Sequence, residues 1–328
     1  MCIRGSYITK GMGEKWRPMA VFFSIAIIIA LGCIGNMVQS NSISNAMHTA
    51  FGVPLVITGI VTAILAGAVF FGGVARLASV TEKIVPFMAA IYIIGGSYVI
   101  ACHAGELGNA FRLIFVAAFD PQAVMGGALG LTVAKAMQFG VARGLFSNEA
   151  GMGSTPHAHA VAKVEHPAEQ GLVAIFGVFA TLIVVTFTGI VILVTGVLDF
   201  QSTGIALTQK AYNVGLGSFG VSFVAICLFF FAYSTIIGWY FFAEQNVRFL
   251  FSEKALLPYR VIVCAFIIVG ATLKVDLVWA LADLFNGLMV IPNLIALIAL
   301  HKVVGNCLDD FEAKLAKYEK TQQNISHS

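Results

Sequence analysis

The sequence predicts an all-α polytopic membrane protein, and two observations carry that reading. Of its 328 residues, 59% are hydrophobic and only 11% are charged, with a mean hydropathy of +0.91. A soluble domain carries about 25% charged residues, so this chain lacks the charges to cover a water-facing surface. The apolar residues also come in long continuous runs that do not alternate with period two. In lipid that pattern favours helices over a barrel.

About 20 apolar residues span a bilayer as a helix. Eight segments qualify, at about 18–45, 54–74, 84–102, 123–160, 171–196, 219–243, 259–273 and 277–300. They divide the chain into a segment 1–17, a transmembrane domain 18–301 and a tail 302–328. Counting Lys and Arg in the loops fixes an orientation. With both ends cytoplasmic, the outer side holds only Arg112, Lys210 and Lys274, against fourteen on the inner side. The polar N-terminal stretch has no convincing cleavage site, so no removable signal peptide is expected. The tail reads as an amphipathic cytoplasmic helix with a disordered end.

Composition excludes several functions. A net charge of +3 gives no nucleic-acid footprint. The six cysteines (Cys2, Cys33, Cys102, Cys227, Cys264 and Cys307) are scattered without a CxxC pair. They indicate neither a disulfide framework nor a zinc site.

The fourth segment is the most informative. It runs into "GLFSNEAGMGSTPHAHA", from Gly144 to Ala160. Gly151, Gly153 and Pro156 disfavour a regular helix there, because Gly costs about 1 kcal/mol and Pro about 3 kcal/mol in a helix interior. A broken helix persists at membrane depth only where it is buried in protein or lines a watery site, a device of transporters. Phe146, Ser147, Asn148 and Gly151 are therefore candidate ligand contacts. Ser147 and Asn148 offer hydrogen bonds, exposed backbone N–H groups suit a carboxylate, and Phe146 supplies an apolar wall. The alternative is a glycine-kinked helix that simply packs closely on its neighbours. Arg143 and Glu149 mark either an inner gate or the headgroup level. His157 and His159 lie two apart without an HExxH pattern, so no metal site is expected.

Other polar intrusions follow. In "GNMVQSNS", Gln39 is a candidate ligand contact, against a role in interhelical hydrogen bonding. In "FFFAYSTIIGWYFFAEQN", Ser234 and Thr235 offer hydroxyls to a hard cation such as sodium, and Trp239 shares the face of Thr235. Their alternative is bonding back to their own helix. Asp283, in "WALADLFNGLMVIPNLIAL", needs a partner.

Together "GNMVQSNSI", "ARGLFSNEAGMGSTPHAHAVAKVEHPAEQG", "STIIGWYFFAEQ" and "DLVWALADLFNGLMVIPNLIAL" resemble the alanine/glycine:cation symporter family, which includes sodium:alanine symporters. The resemblance runs from about Ile8 to Lys302. It implies a LeuT-type inverted-repeat fold, with the fourth segment as the unwound sixth core helix. It further implies that Phe146, Ser147, Asn148, Gly151, Gln39, Thr235 and Trp239 line the amino-acid pocket, and that Ser234 or Thr235 lies near sodium. Family members carry a further N-terminal stretch that includes a first core helix with a Gly-Thr-Gly-Asn break. That motif is absent here, and the eight segments match core helices three to ten. The expectation is a shortened chain whose transport activity alone is in question.

The implied function is sodium-coupled symport of alanine or glycine across the cytoplasmic membrane. Sodium is the co-transported ion, with no cofactor and no evident obligate protein partner. Two rivals stand beside it. One is a channel-like or non-transporting membrane protein. The other is an intramembrane hydrolase using Ser147 with His157.

Overall fold

A computed structural model describes residues 6–119, 133–198 and 202–326. Every regular element within them is helical. In chain order they are α1 (Ser6–Met12), α2 (Arg17–Ile27), a π-helical stretch (Ile28–Gly35), α3 (Asn36–Phe51), α4 (Leu55–Phe70), α5 (Gly73–Cys102) and α6 (Leu107–Phe119). Then follow α7 (Val133–Asn148), α8 (Pro156–His159), α9 (Pro167–Val194), α10 (Ile205–Leu216), α11 (Ser218–Phe251), α12 (Leu256–Thr272) and α13 (Val275–Ser326). Single-turn 3₁₀ pieces link several of them.

Six helical stretches are long and apolar enough to cross a membrane: Glu14–Phe51, Ser79–Cys102, Pro167–Val194, Ser218–Phe251, Glu253–Thr272 and Val275–Glu319. Leu55–Phe70 is a shorter apolar helix. The chain is thus a multi-pass membrane protein. Within the fourth expected segment, residues 123–132 lie outside the described residues, and α7 begins at Val133. The tail does not start a new element, because α13 continues unbroken from Val275 to Ser326. Large apolar side chains such as Phe176, Ile183 and Phe87 face outward, as a lipid solvent requires.

The core sits where α3 packs on α11 and α12, and where α4 packs on α12. Phe23, Ile27, Leu31, Phe70, Tyr240, Val263 and Ile267 are buried there. Lipid tails are as apolar as these side chains, so helices associate through close fit and hydrogen bonds. Both appear. A Cβ on Gly32 would strike the Tyr259 hydroxyl, and one on Gly270 would lie 2.5 Å from the Met37 backbone. Ser40 Oγ donates to the Ile267 carbonyl at 2.7 Å. Asn41 Nδ2 donates to the Gly270 and Leu273 carbonyls, each at 2.8 Å, closing the end of α12. Asn36 Nδ2 donates to the Gly32 carbonyl at 3.0 Å, within the π-helical stretch. The polar cluster of "GNMVQSNS" is therefore spent mainly on helix packing, and Gln39 stands half-buried beside it.

At the far end of α11, the fully buried Glu244 Oε1 accepts from Arg248 at 3.0 Å and from Arg260 at 3.3 Å. Arg260 Nε donates to the Tyr240 hydroxyl at 3.0 Å, and Tyr240 stacks on Phe70 with ring centroids 3.8 Å apart. One buried charge cluster thus fastens α4, α11 and α12.

Because Gly32 lies against a buried tyrosine, Gly32→Val should overpack the core and destabilise the protein by about 1–3 kcal/mol. A clear drop in the apparent unfolding temperature in detergent is expected. An unchanged temperature would show that the approach of Tyr259 to the π-helical stretch is not constraining.

Candidate functional site: the break between α7 and α8

α7 ends at Asn148, and α8 does not begin until Pro156. Between them Gly151 and Gly153 both have φ of +81°, and Glu149 has φ of 51°. The left-handed region suits Gly and is uncommon for Glu. Gly153 also has no room for a side chain, since a Cβ would lie 2.6 Å from Phe23 and 2.7 Å from Asn293 Oδ1. "EAGMG" therefore sets this turn through its backbone and through its fit.

The freed backbone is satisfied by neighbours. Asn293 Nδ2, from α13, donates to the Gly151 carbonyl at 2.7 Å. Tyr7, from α1, donates to Asn293 Oδ1 at 2.5 Å. The Met152 amide reaches the Glu149 carbonyl at 3.2 Å. His157 is buried, with Nδ1 2.9 Å from the Ser154 carbonyl and Nε2 2.9 Å from Asn246 Nδ2. His159 Nδ1 lies 2.8 Å from Gln170 Oε1. Both ring nitrogens of His157 thus have partners other than Ser147, which does not favour His157 as the base for a serine nucleophile.

The break opens into a cavity of about 600 Å³. Its walls are Ser147, Asn148, Glu149, Gly151 and Thr155 on one side, with Ile175, Val178 and Thr181 of α9 and Asn293 and Leu297 of α13. Ser147 is exposed to it. Asn148 Nδ2 donates back to the Gly144 carbonyl at 3.2 Å, while its Oδ1 is buried without a partner.

The other expected site residues form a second group. Phe146 is held between two indoles, with ring centroids 5.2 Å from Trp239 and 5.0 Å from Trp279. Glu149 joins the groups. It lines the cavity, its Oε1 accepts from Trp239 Nε1, and its Oε2 accepts from Ser154 Oγ at 2.5 Å. Trp239 also covers Gly35, where a Cβ would lie 2.6 Å from the indole. Gln39 is one turn further along α3. Ser234 Oγ and Thr235 Oγ1 both donate to the Phe231 carbonyl of their own helix, at 2.9 and 3.0 Å. Neither those two residues nor Gln39, Phe146 and Trp239 line the cavity.

Asp283 finds the partner its sequence position required. Arg143 makes a two-pronged ion pair with it at 2.7 and 3.2 Å. The same guanidinium lies 4.1 Å from the centre of the Trp279 ring.

The model of the sodium:alanine symporter family matches residues 5–325. The chain belongs to this family. It is 42% identical over 308 residues to the sodium/alanine symporter AgcS of Methanococcus maripaludis, covering 91% of this chain and 66% of that protein. It is also 42% identical to the probable sodium/glutamine symporter GlnT of Bacillus subtilis, covering 93% of this chain and 63% of that protein. An uncharacterized transporter of Haemophilus influenzae is 41% identical, covering 94% and 68% respectively. The chain thus spans about two thirds of the length of the curated relatives it matches. The family is one of transporters, not enzymes.

Within this member of the family, three residues around the site were not assigned as ligand contacts from sequence. Trp279 lies four before Asp283 and shares its helix face. Asn293 directly follows the in-helix Pro292. Glu149 carried only gate or headgroup readings, and it is instead the hydrogen-bonded link between the cavity and the indole.

Removing the indole donor tests that link. Trp239→Phe leaves a carboxylate oxygen unpaired, which costs about 1–3 kcal/mol. In a Glu149→Ala background the same change should cost less than half as much. Additive losses in unfolding temperature would mean that the two side chains are not coupled.

Proposed function

We propose that this chain forms the translocation core of a sodium-coupled symporter for a small neutral amino acid, alanine or glycine. The observation that carries the reading is the helix break itself. It places Ser147 and Asn148 in the wall of a cavity at the end of α7, with Asn148 Oδ1 buried there without a hydrogen-bond partner. Half-helix ends and unwound backbone are how transporters hold a polar ligand within lipid. The relatives' printed names, sodium/alanine symporter and probable sodium/glutamine symporter, support an amino-acid substrate and sodium coupling.

In this reading Ser147, Asn148 and Gly151 hold the polar groups of the amino acid. Phe146 and Trp239 form its apolar wall, and Gln39 and Thr235 complete the pocket from α3 and α11. Thr235, with Ser234, lies near sodium. A hydroxyl that donates to its own helix carbonyl keeps its lone pairs for a cation. Sodium and substrate then raise each other's affinity by the same factor.

The fold proposed is the LeuT-type inverted repeat, with these helices as core helices three to ten. The Lys and Arg distribution supports cytoplasmic placement of segment 1–17 and tail 302–328 around the membrane domain 18–301. With that orientation the Arg143–Asp283 pair belongs to the outer half of the protein, and residues 149–159 to the inner half. The ion pair then closes the outer side rather than the inner one.

Ser147→Ala or Asn148→Ala each remove one hydrogen-bonding group, which is about 0.5–1.5 kcal/mol. Alanine affinity should weaken about two- to tenfold, with the protein still inserted in the membrane. Equilibrium binding of labelled alanine in sodium buffer reads this out, and wild-type affinity in both variants would remove the pocket from this place. Thr235→Ala should shift half-maximal binding to a higher sodium concentration at fixed alanine. A superimposable sodium curve would take Thr235 out of the ion site.

A further inference from the structure

Asp283 and the buried Glu244 both have arginine partners, Arg143 for the first and Arg248 with Arg260 for the second. Glu149 forms no ion pair among the described residues, and Trp239 and Ser154, which donate to it, are both neutral. A carboxyl at membrane depth normally pairs with a basic group or marks a path for protons. Its backbone is a second oddity. With φ of 51°, a Gly or Asn would sit more easily at position 149. The break thus keeps a costly carboxyl in its cavity wall, at a place where a glycine would serve the turn.

The hydrogen bonds around Glu149 accommodate a proton. An indole N–H only donates, so Oε1 is an acceptor whatever the charge. A serine hydroxyl both donates and accepts. Ser154 Oγ, 2.5 Å from Oε2, therefore donates to the carboxylate or accepts from the protonated acid at the same separation. We propose that Glu149 is a proton site of the transport cycle, holding a proton on Oε2 while the cavity is empty and giving it up when sodium and the amino acid bind. This rests on the symport function proposed above. Charge sets the direction of the exchange. The zwitterionic amino acid adds no net charge, and sodium adds one positive charge. Loss of the proton leaves one negative charge on Glu149, so the loaded site is as neutral as the empty one. The O–H bond of the acid breaks, its electron pair stays on Oε2, and the proton leaves through the cavity to water. Glu149 senses the ion through Trp239, which shares a helix face with Thr235. The empty carrier then returns with a proton, opposite to the direction of sodium.

The other titrating groups around the break are engaged elsewhere. Among the residues that line the cavity only His159 also titrates, and its Nδ1 lies 2.8 Å from Gln170 Oε1. His157 of α8 is held by the Ser154 carbonyl and by Asn246 of α11. Arg143 of α7 and Asp283 of α13 hold each other, and Tyr7 of α1 donates to Asn293. The part of α9 in the cavity wall is Val173, Ala174, Ile175, Gly177, Val178 and Thr181, without a titrating side chain.

The test uses the full chain in detergent. Trp239 fluorescence reports the state of Glu149, because the indole donates to it. Without ligand, the chain should show a fluorescence step between about pH 5 and 9, the range in which a carboxyl raised by its surroundings titrates. The step should vanish in Glu149→Gln, whose amide offers the same acceptor and donor as the protonated acid, and in Trp239→Phe. It should persist in His159→Gln. No step in the wild type, or a step that survives in Glu149→Gln, would overturn the proposal. In weakly buffered solution with a pH dye, sodium and alanine added together should release up to about one proton per alanine bound, counted against labelled alanine in the same sample. Apparent alanine affinity in sodium should accordingly rise by up to about tenfold per pH unit, and that slope should flatten in Glu149→Gln. No proton release from protein that has bound alanine would equally overturn the proposal. Protein that binds no alanine contradicts the symport reading instead, and the fluorescence step still decides whether Glu149 holds a proton.

Discussion

In hydrocarbon a freed backbone N–H or C=O has no water to turn to, so a helix can be interrupted only where other elements supply partners. The gap between Asn148 and Pro156 depends on that condition being met from several directions. Asn293 of α13 takes the Gly151 carbonyl and is itself held by Tyr7 from the start of the chain. Asn246 of α11 engages His157 just past the gap. Glycines at 151 and 153 make the turn without the cost a side chain would carry there. The break is thus held by α1, α11 and α13 together, while Asn148 Oδ1 beside the cavity is left without a partner.

Glu149 gives the arrangement its second feature. A carboxylate this deep is costly unless hydrogen-bonded, and Trp239 and Ser154 both donate to it. The same contacts fix the indole against Phe146, whose other side rests near Trp279. Trp279 in turn lies under Arg143, which is paired with Asp283. A continuous chain of contacts therefore runs from the cavity wall to an ion pair six residues earlier in the sequence. Any movement of α7 relative to α13 has to break or carry along that pair.

Much of this was legible in the sequence. Length and hydropathy of the apolar runs sufficed for a multi-pass helical protein, and the Gly, Pro and polar residues of 144–160 sufficed for an interrupted helix. Ser147, Asn148 and Gly151 do line one cavity, and Phe146 and Trp239 do meet. The sequence could not say where long-range partners lie. Asp283 visibly needed a counter-charge, yet only packing shows that it is Arg143, 140 residues away. Ser40 and Asn41 share the polar run with Gln39, and the structure spends them on the carbonyls of α12. Ser234 and Thr235 could equally face a cation or their own helix, because a hydroxyl does either at the same sequence position. The continuity of α13 into the tail was missed because its composition turns polar while its helical periodicity does not change.

The claim that the break is the ligand site can be tested without relying on transport. Ser147→Cys, in a chain whose other exposed thiols are replaced, places a reactive group in the cavity with little change of shape. Its rate of modification by a small charged thiol reagent would be measured with sodium, with alanine, with both and with neither. The account predicts marked protection by sodium and alanine together, and little by either alone. An unchanged rate under all four conditions, in protein that remains folded, would contradict it.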